Sequence, residues 1–460
     1  MKVVHIKINK ISIKTVLNCE IHMEANSHGS AKVVGIIDEN SEESCMNTIT
    51  SNSWFTIIGY DENGKEKNLF AGVIYESSLN NENGLLILTI ELVGGTALMD
   101  VTKNTRTFQN TGLSYDSLYG IIDESYGAKH ILYSGSGSIG NFTIQYGETD
   151  WEFIKRMAAN RNTCILPSYK NESLQYYVGV PGGSSTGVDL NVTEYTIKKV
   201  LNDYYYKKSE ESKAVGAINT LAYTFENREF LSLGSSVIIN NRKLYIYKVD
   251  STYVGGELVN KYEGRNINGF KVDKYNNYKI VGASIEGSVQ AVSKEKVQVS
   301  LGTDVAGASI WFNYATVYSS PDGAGWYCMP EVSDSVRVYF PSEDGNDAYA
   351  INSVHVNGND RSDPSKKFIK NKSNKQIEIT NSSLKITNNK GMTIKLDDNE
   401  GISIISDKNI LLEGKNDVQI ISDTKSVILQ APESIKLKQG NTTLKLNKEI
   451  SLEGSEVKLQ

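Results

Sequence analysis

Two pairs of carboxylates, Glu148/Asp150 and Glu331/Asp334, are spaced closely enough to raise the possibility of a sugar-cleaving site. Such a site needs one acid kept protonated in an apolar cleft beside one kept charged. Both pairs have a structural use in their own context. Glu148 and Asp150 flank Thr149 at the start of a helix, where negative charge is favoured, and Glu331/Asp334 sit in a turn. The five histidines, His5, His22, His28, His130 and His355, form no HxH or HExxH pattern. The cysteines, Cys19, Cys45, Cys164 and Cys328, are far apart and contain no CxxC, so they read as thiols of a chain made in a reducing compartment. Pro181-Gly182-Gly183-Ser184-Ser185-Thr186-Gly187 lacks the GK[ST] ending of a phosphate loop and reads as a hairpin. No catalytic, cofactor-binding or metal-ligating set is expected: the chain does not read as an enzyme.

The elements that would position these residues are mainly strands. From residue 1 to about 270, apolar and polar residues alternate, as in Val4, Ile6 and Ile8 or Leu85 to Leu92. Turn signals such as Glu62-Asn63-Gly64 and Glu82-Asn83-Gly84 separate the strands, a pattern suited to β-barrel-like units. Two packing helices interrupt it. Leu118, Ile121 and Ile122 mark one near Ser114 to Tyr126; Thr149-Asp150-Trp151-Glu152 is a capping box for the other, continued by Ile154, Met157 and Ala158. Residues 279–357 carry five or so short strands, including Val297-Gln298-Val299 and Val336-Arg337-Val338-Tyr339-Phe340, the last strand being drawn from Ala350, Ile351, Val354 and Val356. This fits an OB-fold barrel. A linker, 358–370, follows.

Residues 371–460 repeat. Aliphatic couplets two residues apart occur at Ile377/Ile379, Leu384/Ile386, Ile394/Leu396, Ile402/Ile404, Ile410/Leu412, Val418/Ile420, Val427/Leu429, Ile435/Leu437, Leu444/Leu446, Ile450/Leu452 and Val457/Leu459. Between Ile394 and Val418 the step is eight residues, and the intervening residues are turn formers. Two inward side chains per repeat cannot seal a core, so other copies must supply the remaining faces; three chains about one axis would bring six aliphatic side chains to each layer. An intertwined trimeric β-helix is therefore expected. Its core would hold Ile394, Leu396, Ile402, Ile404, Ile410, Leu412, Val418, Ile420, Ile435, Leu437, Leu444 and Leu446. No Phe, Trp, Tyr, His or Cys occurs from Asn371 onward, in keeping with a narrow axial core. At about 4.8 Å per strand, the shaft would be on the order of 50 Å long.

The whole chain has 460 residues, 48 Lys+Arg and 54 Asp+Glu, a net charge of −6, which argues against a nucleic-acid partner. Seven prolines and 26 tyrosines describe a folded, strand-rich chain. The N-terminal MKVVHIKINKISIK alternates charge with aliphatics, so no signal peptide is expected, and no run reaches the ~18 apolar residues of a membrane helix. The product would be made in the cytoplasm and reach the exterior only within a larger particle.

Tyr146-Gly147-Glu148-Thr149-Asp150-Trp151-Glu152-Phe153-Ile154-Lys155-Arg156-Met157-Ala158 resembles a signature of the VgrG-like baseplate hub proteins of contractile tails. Asn26-Ser27-His28-Gly29-Ser30-Ala31, followed by Val33, Val34 and Ile36, resembles the family's first barrel. Gly323, Gly325-Trp326-Tyr327, Pro330-Glu331, Asp334, Val336, Val338 and Phe340 resemble its OB domain. Ser333 stands where the family usually has glycine, a departure confined to one turn.

The resemblance covers nearly the whole chain and implies a structural role. A homotrimeric hub would imitate sixfold symmetry with paired barrels and accept the inner tube among baseplate and wedge proteins. The β-helix would be a spike driven into the target cell envelope when the sheath contracts. Some phage relatives insert a lysozyme domain before the needle; here only about Asn357 to Lys370 is available, too little for a domain. Some relatives hold a metal at the tip through axial histidines, which this needle lacks. The sequence stops within the repeat, so Val457, Leu459 and Gln460 are the expected interface for a separate PAAR-like tip protein. A competing reading is a receptor-binding or depolymerase spike. It calls for a groove lined with aromatics and carboxylates, whereas residues 371–460 have no aromatic and 13 Lys against 12 Asp+Glu, a net of +1. Whether the machine is a phage, a tailocin or a type VI-like injector, and what its target and cargo are, are not legible in the sequence.

Overall fold

Strand alternation organises most of the protein, seen here in a computed structural model that describes residues 1–51, 53–181, 188–190, 192–199, 201, 217–305, 307, 310–351 and 361–446. The chain divides into two compact units, Met1–Val354 and His355–Gln460.

In the first unit a large sheet runs in the order His5–Ile8, Trp54–Tyr60, Glu66–Glu82, Leu85–Gly94, Ser30–Ile37, Ile13–Glu24, Arg242–Val254, Glu257–Arg265, Leu221–Asn227, Tyr195–Lys199. The pairings along this path are antiparallel. The barrels expected within residues 1–270 thus share one sheet: Ile13–Glu24 pairs with Ser30–Ile37 on one side and with Arg242–Val254 on the other. The sheet curls. The Leu258 amide donates to the Val3 carbonyl at 3.0 Å, and a bridge joins Lys2 to Glu229, although no ladder closes a ring among the described residues. Ile21, Val33, Phe55, Phe70, Leu88, Ile90, Val237 and Tyr262 fill its interior. The hairpin at Asn83-Gly84 has both residues at positive φ, +55° and +87°, the mirror-image turn that matches the right-handed twist of strands.

A short helix, α1 (Glu42–Thr48), follows the Ser30–Ile37 strand. Helices α2 (Tyr115–Glu124) and α3 (Asp150–Ala159) pack beside a three-stranded sheet of Lys129–Leu132, Ile165–Ser168 and Gln175–Val178. The Thr149 hydroxyl accepts from the Glu152 amide at 3.1 Å, and the Glu152 carboxylate accepts from the Thr149 amide at 2.9 Å, so the capping box forms. Trp151, Phe153, Ile154 and Met157 are buried from α3, with Phe153 stacked on Phe108.

The residues expected to form the OB-fold barrel hold a five-stranded sheet ordered Trp311–Asn313, Lys296–Leu301, Ser284–Ser293, Ser335–Tyr339, Tyr349–Ile351. A bridge from Tyr314 to Ala350 draws its two edges together. Phe142 and Ile144 enter its core beside Phe312 and Phe340, and the Thr107 amide donates to the Thr303 carbonyl at 2.9 Å, fastening it to the Lys103–Phe108/Thr143–Thr149 ribbon. Val354 and Val356 lie outside the described residues.

The second unit begins as an antiparallel meander of Lys367–Lys370, Gln376–Ile379, Ser383–Thr387, Thr393–Asp397 and Gly401–Ile405, with a later hairpin of Ile435–Gln439 and Thr442–Leu446. The turns between its strands reverse the chain. Asn389 and Gly391, for example, have φ of +49° and +96°. Successive octads within one chain therefore stack as neighbours instead of winding in one sense. No described helix is long and apolar enough to cross a membrane.

Candidate functional site

Glu148 and Asp150 face inward against arginines. Arg156 grips Glu148 with Nε–Oε1 at 2.8 Å and Nη2–Oε2 at 2.6 Å, and its Nη2 also donates to the Ile144 carbonyl at 2.6 Å. Asp150, fully buried, accepts from Gln145 Nε2 at 2.8 Å and the Tyr126 hydroxyl at 2.9 Å, and pairs with Arg106. Burial first, and then the hydrogen bond to Asp150, push the Tyr126 phenol up to about 12. A buried carboxylate is tolerable when it is paired and its lone pairs are used, which is the case here. These groups lock the 103–149 ribbon to α3. Arg106 and Gln145 carried no sequence signal for this role. Asp334 Oδ2 accepts from the Glu331 amide at 2.8 Å, so the second pair closes a turn.

Of the described histidines, His5 is exposed beside the Tyr60 ring, and His22, His28 and His130 hydrogen-bond within the fold. His22 Nδ1 lies 2.6 Å from Asp250, and His28 bridges Thr96 at 2.8 Å and Asp100 at 3.2 Å while resting on the Trp151 ring. His130 sits between Asp123, at 2.7 Å, and Asp116, at 3.1 Å. Cys19, Cys45 and Cys164 are buried, and Cys328 is exposed; burial, with Glu20 adding to it, pushes the Cys19 thiol up to about 12. Among the described residues no group of three or more His, Cys, Asp or Glu is placed to hold a metal. His355 and residues 182–187 lie outside the described residues.

In the OB segment, a bridge between Ser319 and Gly325 closes a hairpin. Gly325 has φ +145°, and a Cβ there would meet the Tyr318 carbonyl oxygen at 2.4 Å, so only glycine fits. The Trp326 amide donates to that same carbonyl at 2.9 Å, leaving its indole exposed. Pro330 is half-buried. Ser333 has φ +74°, the conformation that a glycine adopts without strain.

Ten of the twelve expected spike-core residues are exposed, and Ile435 and Leu446 are half-buried. The ladders align Ile377 with Ile386, Ile379 with Leu384, Leu384 with Leu396, Ile386 with Ile394, Ile394 with Ile404, and Leu396 with Ile402. Period-2 alternation then sets every couplet of the meander on one face and Glu378, Lys385, Lys395 and Ser403 on the other. Among the described residues nothing covers that face: Leu396 is 42% exposed and Ile402 73%. Ile435 pairs with Leu446 and Leu437 with Leu444 in the later hairpin. Ile410, Leu412, Val418 and Ile420 are exposed in residues 406–434, which carry no strand pairing. Val457, Leu459 and Gln460 lie outside the described residues.

No family model and no curated protein matches the chain. Solved structures do. The c3393 protein of E. coli, a component of the type VI secretion system described as structurally similar to the T4 bacteriophage tail proteins gp27 and gp5, aligns with a TM-score of 0.54 and 13% identity, over 75% of this chain and 99% of that one. The PdpA–VgrG complex of Francisella aligns with a TM-score of 0.55 and 11% identity, over 87% of each chain. The chain shares the fold of these two structures. That fold is mainly β, as expected from strand alternation, and it extends across most of the sequence.

Proposed function

We propose that the chain is the structural hub and central spike of a contractile injection apparatus, assembled as a homotrimer. Its first unit would join the inner tube and baseplate proteins, and its second would form the envelope-piercing needle. The observation that carries this reading is the uncovered aliphatic face of the second unit. A contiguous ladder of Ile and Leu side chains in water is strongly unfavourable, since each, fully removed from water, contributes ~1.5–3 kcal/mol. Three copies facing inward around one axis would bury it. The strandless stretch 406–434, which continues the couplet pattern at Ile410/Leu412 and Val418/Ile420, fits strands whose partners belong to other copies. Continuous inter-chain hydrogen bonding without a long free edge makes a stiff rod, the mechanical property that puncture requires.

The role needs no turnover: the paired carboxylates are committed to arginines and turns, and the two structures described above are a type VI secretion component and a PdpA–VgrG complex. A PAAR-like tip protein would be a further partner of the needle. In the producing strain, deletion of the chain should abolish functional particles, and full-length complementation should restore them. Complementation by a chain stopped after Phe368 should restore no puncture activity. Full activity from the needle-less chain would overturn the reading.

A further inference from the structure

A second uncovered apolar surface lies on the OB module. On the two arms of the Ser319/Gly325 hairpin, Val317 is 87% exposed, Tyr318 53%, Trp326 54% and Tyr327 73%. The arms are fixed in place. The Trp326 amide bonds to Tyr318, Thr316 Oγ1 donates to the Trp326 carbonyl at 2.6 Å, and the Tyr327 hydroxyl reaches the Lys294 carbonyl at 3.1 Å. From Trp311 to Ser333 the only charged residues are Asp322 and Glu331, and there is no lysine or arginine. A pre-ordered, aromatic, nearly uncharged surface has the composition of the core of an obligate interface between like subunits, in which aromatics are enriched and Lys and Glu depleted.

We propose that this aromatic hairpin is a contact between copies of the chain, each hairpin packing against the OB module of a neighbouring copy. The inference rests on the trimer reading above. The occupant follows from tethering: from Ile351 to the strand starting at Lys367 is 367 − 351 = 16 residue steps, at most about 55 Å of extended chain. Three needles wound together would therefore hold three OB modules at high effective concentration, where an apolar surface meets its own kind first. Two acidic residues and no basic ones give a charged partner nothing to pair with beyond Asp322 and Glu331.

Cys328, the exposed cysteine next to Tyr327, supplies the probe. The native full-length protein is treated with N-ethylmaleimide, and the rate at Cys328 is compared by mass spectrometry with that at Glu82→Cys, a residue at an exposed hairpin tip. The sedimentation mass is measured on the same sample. The proposal expects a three-chain mass with Cys328 reacting at least ~10-fold more slowly than the control and recovering its rate on denaturation. A three-chain mass with equal rates would overturn the hairpin contact and leave the trimer standing; a single-chain mass would overturn both. In parallel, the double variant Trp326→Ser/Tyr327→Ser should raise the trimer dissociation constant at least ~10-fold. An unchanged constant would also refute the contact.

Discussion

Replacing Leu396 by alanine separates the assembled needle from an uncovered sheet by magnitude. In the single chain Leu396 stands between Leu384 and Ile402 and is 42% exposed, so truncation removes about half a transfer energy, on the order of 1 kcal/mol. In a threefold core the same side chain is enclosed, and Leu→Ala costs ~2–5 kcal/mol per site. Three copies lose it together, giving ~6–15 kcal/mol per trimer, and even the lower end is about a 10⁴-fold rise in the dissociation constant. Sedimentation equilibrium over a dilution series reads this directly, with detergent resistance on gels as a second readout. Lys395→Ala, one residue away on the opposite face and paired to Asp397 and Glu400, should leave the assembly unchanged. If Leu396→Ala shifted dissociation no more than Lys395→Ala, the couplets would not form an inter-chain core.

Three further outcomes follow from the first unit. Ser333→Gly should raise stability by about 1 kcal/mol in denaturant melts, because serine pays for its φ of +74° and glycine does not; a loss of stability would contradict the turn geometry. Arg156→Met strands Glu148 in the interior and should cost ~3–5 kcal/mol, with much of it recovered by adding Glu148→Leu; equal losses for the single and double variants would deny that the pair acts as a unit. For His130, burial opposes the charge, but the hydrogen bonds it donates to Asp123 and Asp116 outweigh it and raise its pKa above the ordinary 6.5. That stabilisation is complete below the unfolded value and is lost as pH rises through the raised folded value, so the wild-type melting temperature should fall more steeply than that of His130→Gln as pH rises above 6.5. Parallel pH profiles would refute the clamp.

Features that depend on a few neighbouring residues were legible in the sequence. The Thr149/Glu152 capping box, the Asn83-Gly84 turn and the couplets from Ile377 to Ile404 each express a local rule, and each appears where the pattern put it. The departure at Ser333 likewise coincides with a positive φ. The single sheet joining the two ends of residues 1–270 was not legible, because Glu24 meets Lys248 through a ladder between segments more than two hundred residues apart, and no periodicity encodes such a partner. Nor could spacing assign Arg106 and Arg156 to Asp150 and Glu148, since burying a charge pair depends on three-dimensional enclosure. The octads predicted buried couplets but not their path, and the antiparallel reversal of the meander follows from turns such as Asn388 to Met392, whose geometry emerges only when the strands pair.

The most direct measurement is the native mass of the full-length protein by analytical ultracentrifugation at micromolar concentration. The account predicts 3 × 50.8 = 152.4 kDa, persisting in detergent until heated. A stable species of 50.8 kDa would contradict it, because the aliphatic face from Ile377 to Ile404 would then stand uncovered in water.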